Sequence, residues 1–293
     1  MVFEAIDYTI SLFDANNVEI DNETGTINYI YPNSAFGVAT KIYLADETTT
    51  VDSVSINWVY EDKLMPDGLS IPLTIRNPKY WSETSFPIVT GLIENNSPDL
   101  YTSFRLNILC FNSSGAIIGG GFSYVDFVKG EGDIGFSTYV DVYGDVASVE
   151  IYPVIPAVNT PVEDASYWSN ISVVDHYFYE GMYDNILGGM MIKNETMSVL
   201  ESSTLALTFY DDLDNVTTTG YYYLSVLLPG ESLGIAPYVA FPPADSTSTG
   251  YDWDILPGRP ADNYPISTNP FTVNSTTLTG DSDCLLYTSD AAD

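Results

Sequence analysis

Three stretches of the chain alternate apolar and polar residues. The first is IDYTISLF at 6–13, the second is FRLNILCF at 104–111, and the third is STLALTFY at 203–210. Successive side chains of a β-strand point to opposite faces of a sheet, so this period of two predicts strands with one buried face. Each stretch runs into a turn whose residues tolerate the positive φ of tight hairpins, at Asn16-Asn17, Ser114-Gly115 and Asp214-Asn215. The sequence therefore predicts three β-hairpins.

The three hairpins recur at a regular spacing. Leu12, Cys110 and Phe209 occupy matching places in the alternation and are 98 and 99 residues apart. A second element follows each hairpin, at 51–58, 146–153 and 249–256, and Tyr-Trp-Ser occurs at 80–82 and again at 167–169. Landmarks that recur in one order at one spacing predict tandem modules. Because Cys110 aligns with two core-type residues, we expect it to be a buried, inert thiol.

Each module is predicted to consist of β-strands. In the second module, candidate strands lie at 88–94, 103–111, 116–124, 133–140 and 148–152, separated by turn residues. No stretch keeps apolar residues at helical spacing for three turns. The sequence therefore predicts an all-β chain of tandem immunoglobulin-like β-sandwich modules.

The module divisions follow from the spacing and from proline-rich stretches. We predict an incomplete first module at 1–60, a second at 78–156, a third at 168–258 and the start of a fourth at 269–283. Junctions are predicted near 61–80, 154–170 and 257–270, because the prolines there oppose central-strand pairing and stiffen connections.

Two of the hairpins share a finer pattern. TISLFDANNV at 9–18 and ALTFYDDLDNV at 206–216 each have an alternating strand, an aromatic residue followed by Asp, and a tight turn, while residues 89–136 add a later Gly-Glu-Gly. In these features the chain resembles the FxLyD family, small β-sandwich modules of exported bacterial and archaeal proteins. Asn112 stands in the second module where the pattern has Asp. The resemblance implies a surface or lipoprotein-associated module of unknown activity and brings no catalytic residue with it.

Acidic residues greatly outnumber basic ones. The 293 residues include 40 Asp and Glu against 8 Lys and Arg, a formal net charge of −32. Nucleic acid is therefore excluded as a partner, and anionic lipid is disfavoured, because both are themselves negatively charged. Hydrophobic residues make up 45% and aromatic residues 14%, which is enough to build folded cores. No apolar run is long enough for a membrane span, and the first ten residues lack the features of a signal peptide.

Glycosylation-type sequons, Asn-x-Ser/Thr, are roughly twice as frequent as chance placement gives. The seven asparagines are Asn22, Asn95, Asn112, Asn170, Asn194, Asn215 and Asn274. Their excess favours an exported chain, extracellular or at a cell surface, with these residues as candidate glycosylation sites.

Few residues offer chemistry. His176 is the single histidine, so a catalytic triad, or a metal site built on His and Cys, lacks partners. Asp211, Asp212 and Asp214 share one turn and form a candidate Ca²⁺ site, since Ca²⁺ takes oxygen ligands; a solvated acidic turn is the alternative. We predict no catalytic residue and no cofactor apart from this calcium. A carboxylate pair of the glycosidase type stays open, because 40 acids offer many pairs.

Four aromatic residues mark the module boundaries, namely Tyr80, Trp81, Tyr167 and Trp168. They can pack one module against the next, or present rings for stacking on sugars. The first role favours a non-catalytic cell-surface protein whose modules are spacer or presentation units. The second favours a carbohydrate-binding or adhesion module, with surface glycans or other surface proteins as partners.

Each end of the chain carries an expectation of its own. The first module lacks a counterpart of residues 86–100, so we expect Met1 to be an internal codon and any export signal to lie upstream. CLLYTSDAAD at 284–293 departs from the local composition and resembles a translated transposon-end adaptor of sequencing libraries. We therefore expect these ten residues not to be biological sequence.

Overall fold

The fold is built almost entirely from β-strands. The computed structural model describes residues 3–31, 34–45, 48–61, 71–82, 86–155, 165–181, 185–243, 246–261, 273–279 and 286–291. Within these ranges the single helix is the one-turn α1 (Ala165–Trp168), and all sheets are antiparallel. The prediction of an all-β chain with sandwich-like sheets is confirmed.

Three groups of strands follow one another along the chain. Unit 1 (residues 3–61) contains β1 (Phe3–Phe13), β2 (Glu19–Ile30) and β3 (Ser53–Glu61). Unit 2 (residues 71–155) contains β4 (Leu73–Trp81), β5 (Ile88–Asn95), β6 (Tyr101–Phe111), β7 (Ile117–Val128), β8 (Asp133–Tyr139), β9 (Asp141–Val142) and β10 (Ser148–Val154). Unit 3 (residues 171–261) contains β11 (Ile171–Glu180), β12 (Ile186–Asn194), β13 (Val199–Tyr210), β14 (Val216–Leu227), β15 (Ser232–Ile235), β16 (Tyr238–Val239), β17 (Gly250–Leu256) and β18 (Arg259–Ala261).

Units 2 and 3 have the same strand order. In unit 2, sheet β4-β5-β8 accompanies sheet β10-β6-β7-β9; in unit 3, sheet β11-β12-β15 accompanies sheet β17-β13-β14-β16, and β18 also pairs with β13. Each core draws side chains from both of its sheets. The unit 2 core includes Ile93, Phe104, Leu106, Val125 and Phe136. The unit 3 core includes Ile192, Leu200, Leu205, Phe209 and Leu227.

The three predicted hairpins form, and they share one register. The register shifts by one residue after Leu12, Cys110 and Phe209, next to the hairpin turn, and the extra residue lies each time in the return strand. The strand on the other side of β1 and of β13 also pairs at matching positions. Val54 of β3 lies opposite Leu12, and Tyr251 of β17 lies opposite Phe209. Leu12, Cys110 and Phe209 therefore occupy equivalent places, as their alternation predicts.

Unit 1 differs because it has one sheet only, in the order β2-β1-β3. Its core is small and consists of Ile6, Tyr8, Ile10 and Ile27, covered in part by Phe36, Val38 and Ile42. Leu12 is half-buried, whereas Cys110 is fully buried. The apolar residues of β3 on the same face are exposed, because no second sheet covers them within the described part of the chain: Val54, Ile56 and Trp58.

One predicted boundary is wrong. Residues 61–80 were expected to be a junction, but β4 runs from Leu73 to Trp81 and pairs with β5. Pro78 concealed this strand. It lies where the register shifts between Arg76 and Lys79, on an edge strand, which is a position where a sheet tolerates proline.

The C-terminal residues form a separate two-stranded sheet. β19 (Val273–Thr279) pairs with β20 (Leu286–Ala291), so part of the segment expected to be non-biological makes a backbone ladder with the preceding strand. Cys284 lies outside the described residues.

Candidate functional site

Trp81, one of the predicted boundary aromatics, is buried where unit 2 meets unit 3. Its indole N–H donates to the hydroxyl oxygen of Thr90 (2.9 Å), and the Thr90 hydroxyl donates to the carbonyl of Val216 in unit 3 (2.6 Å). The ammonium of Lys79 lies 3.5 Å from the centroid of the Trp81 ring and 3.6 Å from a carboxylate oxygen of Asp211. Hydrogen bonds and charge contacts therefore join the two units at this point.

A second set of contacts closes the junction along β8 and β13. The backbone N–H of Gly135 donates to the Thr208 hydroxyl (2.9 Å), and a Cβ at position 135 would overlap the Thr208 side chain. Lys129 forms an ion pair with Asp254. Burial raises the pKa of Asp254, and the nearby Lys129 opposes that rise only in part. Glycine is needed at position 135 so that the two sheets can approach this closely.

The other predicted boundary aromatics lie beside the same junction. Tyr167 donates its hydroxyl to the carbonyl of Pro257, and Trp168 packs on the unit 2 core with the Lys129 ammonium 5.0 Å from its ring. Tyr80 is half-buried against the same core, and burial raises its pKa. All four aromatics are thus used in packing, and they form no exposed row that a sugar could stack on.

The acidic turn predicted to bind Ca²⁺ is a backbone-capping turn. One carboxylate oxygen of Asp211 accepts the backbone N–H groups of Leu213 (2.9 Å) and Asn215 (2.8 Å), and the other accepts the Asn215 amide (2.9 Å). Burial acts to raise the pKa of Asp211, but these hydrogen bonds and Lys79 outweigh it, and the pKa is lowered. Its oxygens are therefore already occupied by donors.

The geometry of the turn also gives the predicted calcium site no support. Asp212 and Asp214 are exposed, and in the described part of the chain no group of three His, Cys, Asp or Glu side chains is placed to hold a metal ion. Asp214 has a φ of 59°, so it supplies the left-handed position of the turn. The clustering of aspartates reflects turn chemistry, because Asp favours both capping and positive φ.

The same turn occurs in all three units. Asp14 in unit 1 and Asn112 in unit 2 each accept two backbone N–H groups on one side-chain oxygen, as Asp211 does in unit 3. Only an acceptor oxygen is needed here, so asparagine serves as well as aspartate. This explains the departure from the FxLyD-like pattern at position 112.

Two of the seven candidate glycosylation sites are structural asparagines. Asn95 and Asn194 are 1% and 0% exposed. The Asn194 amide donates to the carbonyls of Ser198 (2.9 Å) and Leu227 (3.0 Å), while its oxygen accepts the backbone N–H (2.9 Å) and the hydroxyl (2.8 Å) of Thr196. Asn95 makes the same four bonds in unit 2. The folded chain leaves no amide hydrogen of either residue free for a glycan, which corrects the prediction at these two positions.

The remaining sequons differ in exposure. Asn22 is exposed, whereas Asn112, Asn170 and Asn215 are half-buried. The side chain of Asn274 lies outside the described residues. Since the hydroxyl residue of two sequons serves to bind the buried asparagine, the excess of sequons supports export less strongly than the sequence suggested.

Cys110 and His176 both have structural roles. Cys110 is fully buried in the unit 2 core, and burial raises the pKa of its thiol to about 11. A ring nitrogen of His176 is 2.8 Å from the Tyr251 hydroxyl, and its ring lies 4.3 Å from that of Trp253. The thiol is therefore kept protonated at neutral pH. The imidazole of His176, on β11, lies among the aromatic rings of β17.

Sequence reasoning missed the residues that join the units through hydrogen bonds, Thr90, Gly135 and Thr208. It also missed the paired role of Asn95 and Asn194, although a signal was present: these asparagines precede their hydroxyl residue at matching places in the spacing.

No helix within the described ranges is long and apolar enough to cross a membrane. No family model matches the chain, and no curated protein matches it. The resemblance to the FxLyD family therefore stays a prediction that rests on the residues quoted for it.

Proposed function

We propose that the chain is a non-catalytic spacer or presentation array from an exported cell-surface protein. The supporting observation is the junction between units 2 and 3, where Trp81, Thr90 and Val216 form one buried chain of hydrogen bonds. A linker that let the units move independently would not place a buried donor of one unit on a backbone carbonyl of the next. Units fixed end to end give reach, which is what a spacer provides.

The acidic surface fits this role. Like charges keep neighbouring chains apart in solution and discourage non-specific association. The proposal of a non-catalytic role is also supported by the occupied partners of Asp211 and His176, which were the best candidates for chemistry in the sequence.

Carbohydrate binding or adhesion is the second candidate, and one observation favours it. Tyr177 and Tyr179 on β11 are 69% and 46% exposed, and their ring centroids are 5.7 Å apart. Neighbouring exposed rings on a strand can stack on a sugar. This pair replaces the boundary aromatics as the surface that a glycan would use.

A glycan array probed with the full chain separates the two candidates. The spacer proposal predicts no specific signal above that of the array's blank spots. A specific signal that disappears when Tyr177 and Tyr179 are both changed to Ala, but persists when the lone exposed Tyr143 is changed to Ala, would reject the spacer proposal in favour of glycan binding. A signal equal in all variants would reject the spacer proposal too, and would place the binding surface elsewhere.

A further inference from the structure

A cleft of about 1020 Å³ separates unit 1 from unit 2. One wall carries Ile10 and Leu12 of β1, and the opposite wall is the start of β7, from Ile117 to Phe122. Ile56, which pairs with Ile10 on the same face, is 49% exposed, and Ile117 is 61% exposed. Two apolar walls that face each other across open space indicate a site for a partner.

Residues 36–42 lie along this cleft in the place that β8 occupies in unit 2. FGVATKI at 36–42 and IGFSTYV at 134–140 have the same pattern, 98 residues apart. The apolar residues of each segment pack on the core of their own unit: Phe36, Val38 and Ile42 in unit 1, and Ile134, Phe136 and Val140 in unit 2.

The glycines of the two segments support this equivalence. Gly37 closely approaches the side chains of Tyr152 and Leu109 in unit 2, and Gly135 closely approaches that of Thr208 in unit 3. Leu109 and Thr208 are themselves 99 residues apart and pair with neighbouring strands at matching positions. Unit 1 therefore packs on unit 2 as unit 2 packs on unit 3.

One element is missing from this match. β8 is paired with β5 along its length, whereas residues 36–42 are not hydrogen-bonded into a sheet within the described ranges. At the junction of units 2 and 3, β5 of the hairpin β4–β5 lies beside β8 in the same sheet and also contacts the next unit, with Thr90 bonded to the Val216 carbonyl. Val216 is 1% exposed, whereas Ile117, its counterpart in register, is open to solvent. The cleft is thus the space that a β4–β5 hairpin fills elsewhere.

We propose that this cleft is the docking site of an antiparallel β-hairpin of the β4–β5 kind, whose second strand pairs with residues 36–42 and completes unit 1 as a sandwich. One face of the hairpin carries branched apolar residues, as Val89 and Ile93 do, and covers the sheet of unit 1. The other face carries a small hydroxyl residue, as Thr90 does, and contacts β7.

The occupant that this geometry favours is a hairpin joined in cis to the N-terminal side of β1. In unit 2 only residues 96–100 connect β5 to β6, and in unit 3 only residues 195–198 connect β12 to β13. So short a link holds the hairpin at a high effective concentration beside its site, which a separate chain would not achieve.

Hydrogen exchange on an extended chain tests the proposal. A copy of residues 71–100 is placed directly before Phe3 of the full chain, because Phe3 matches Tyr101 in the spacing. The amides of residues 36–42 are expected to exchange at least about tenfold more slowly in the extended chain than in the original one, because they become part of a sheet. Unchanged exchange of β13 serves as the control that unit 3 stays folded.

Matched variants make the result specific. In the added copy alone, Val89→Asp together with Ile93→Asp should abolish the protection. In unit 1, Ile56→Asp should abolish it, whereas Val59→Asp, at an exposed position on the opposite face of β3, should not. Unchanged exchange at residues 36–42 on extension, or equal protection by the Asp-bearing copy, would overturn the proposal.

Discussion

The same chemical change, Asn to Asp, should have opposite consequences at two positions of this chain. Asn194 is fully buried, and its amide group donates two hydrogen bonds to backbone carbonyls. Asn112 uses only its side-chain oxygen, to accept the backbone N–H groups of Ser114 and Ala116 (both 3.0 Å). Asp14 and Asp211 already perform the second task in units 1 and 3. We therefore expect Asn194→Asp to be strongly destabilising and Asn112→Asp to be nearly neutral.

The magnitude at position 194 follows from the two carbonyls. An ionised Asp would place one carboxylate oxygen against the carbonyl oxygens of both Ser198 and Leu227, 2.9 and 3.0 Å from the present amide nitrogen. Protonating the carboxyl avoids this repulsion, but at pH 7 it costs about 1.4 kcal/mol for each pH unit above 3.9, or about 4 kcal/mol. The protonated acid still makes one hydrogen bond fewer, worth about 1 kcal/mol. The free energy of unfolding of unit 3 should fall by about 3–5 kcal/mol.

Thermal and urea unfolding of the two variants measure this difference. Asn112→Asp should change the free energy of unfolding by less than about 1 kcal/mol, since a conservative change in a turn rarely does more. The deficit of Asn194→Asp should shrink as the pH falls toward about 3.9, the ordinary pKa of Asp, because the unfolded chain then binds the proton that the buried carboxyl already holds in the folded chain. Equal stability of the two variants at pH 7 would refute the distinction between a structural asparagine and a turn-capping one.

Three further predictions concern the core, a turn and the junction. Cys110→Ser should lower the free energy of unfolding by about 1–3 kcal/mol, because it buries a hydroxyl at an apolar site, and the native Cys110 thiol should not react with a thiol reagent until the chain unfolds. Asp211→Ala should cost about 1–2 kcal/mol through lost turn hydrogen bonds, and Asp211→Asn less. The folded-state pKa of Asp211 lies below its ordinary value of 3.8, so the stability gap between the original chain and Asp211→Asn should be complete above that pH and close as the pH falls through the lowered pKa. Thr90→Val should cost about 1–3 kcal/mol in a chemical unfolding series, because the Trp81 N–H loses its acceptor and the Val216 carbonyl a donor; no loss would mean that the junction hydrogen bonds contribute nothing.

The hairpins could be predicted from the sequence because local patterns determine them. Alternation defines which face of β1, β6 and β13 is buried, and turn residues define where each strand reverses. β4 escaped notice because Pro78 and the adjacent bulge interrupt its alternation. At such a bulge a residue belongs to neither face of the sheet, so the alternation of apolar and polar residues is broken there and the strand is not recognised.

The candidate site was harder to predict because its residues act through distant partners. Asp211 and Asn194 have side chains whose types suggest calcium binding and glycosylation, and only the folded chain shows that backbone groups already occupy them. The boundary aromatics pack beside the junction of units 2 and 3, which is the place that one of the two interpretations gave them. Their hydrogen-bond partners were not predictable, since Thr90 and Val216 are 126 residues apart in sequence.

The fixed junction between units 2 and 3 can be measured directly as a distance distribution. Spin labels are attached at Tyr143→Cys in unit 2 and Met197→Cys in unit 3, at positions 92% and 93% exposed, in a chain with Cys284→Ser. The native Cys110 stays in place, because its buried thiol has a raised pKa and should not take a label. A pair at Ser113→Cys and Tyr143→Cys, both within unit 2, supplies the reference width.

Pulsed electron–electron double resonance should then give a single distance between the two labels, with a distribution no broader than that of the reference pair. Thr90→Val should broaden the distribution between the units and leave the reference unchanged. A broad or multiple distribution in the original chain, beside a narrow reference, would contradict the proposal that these units form a fixed spacer.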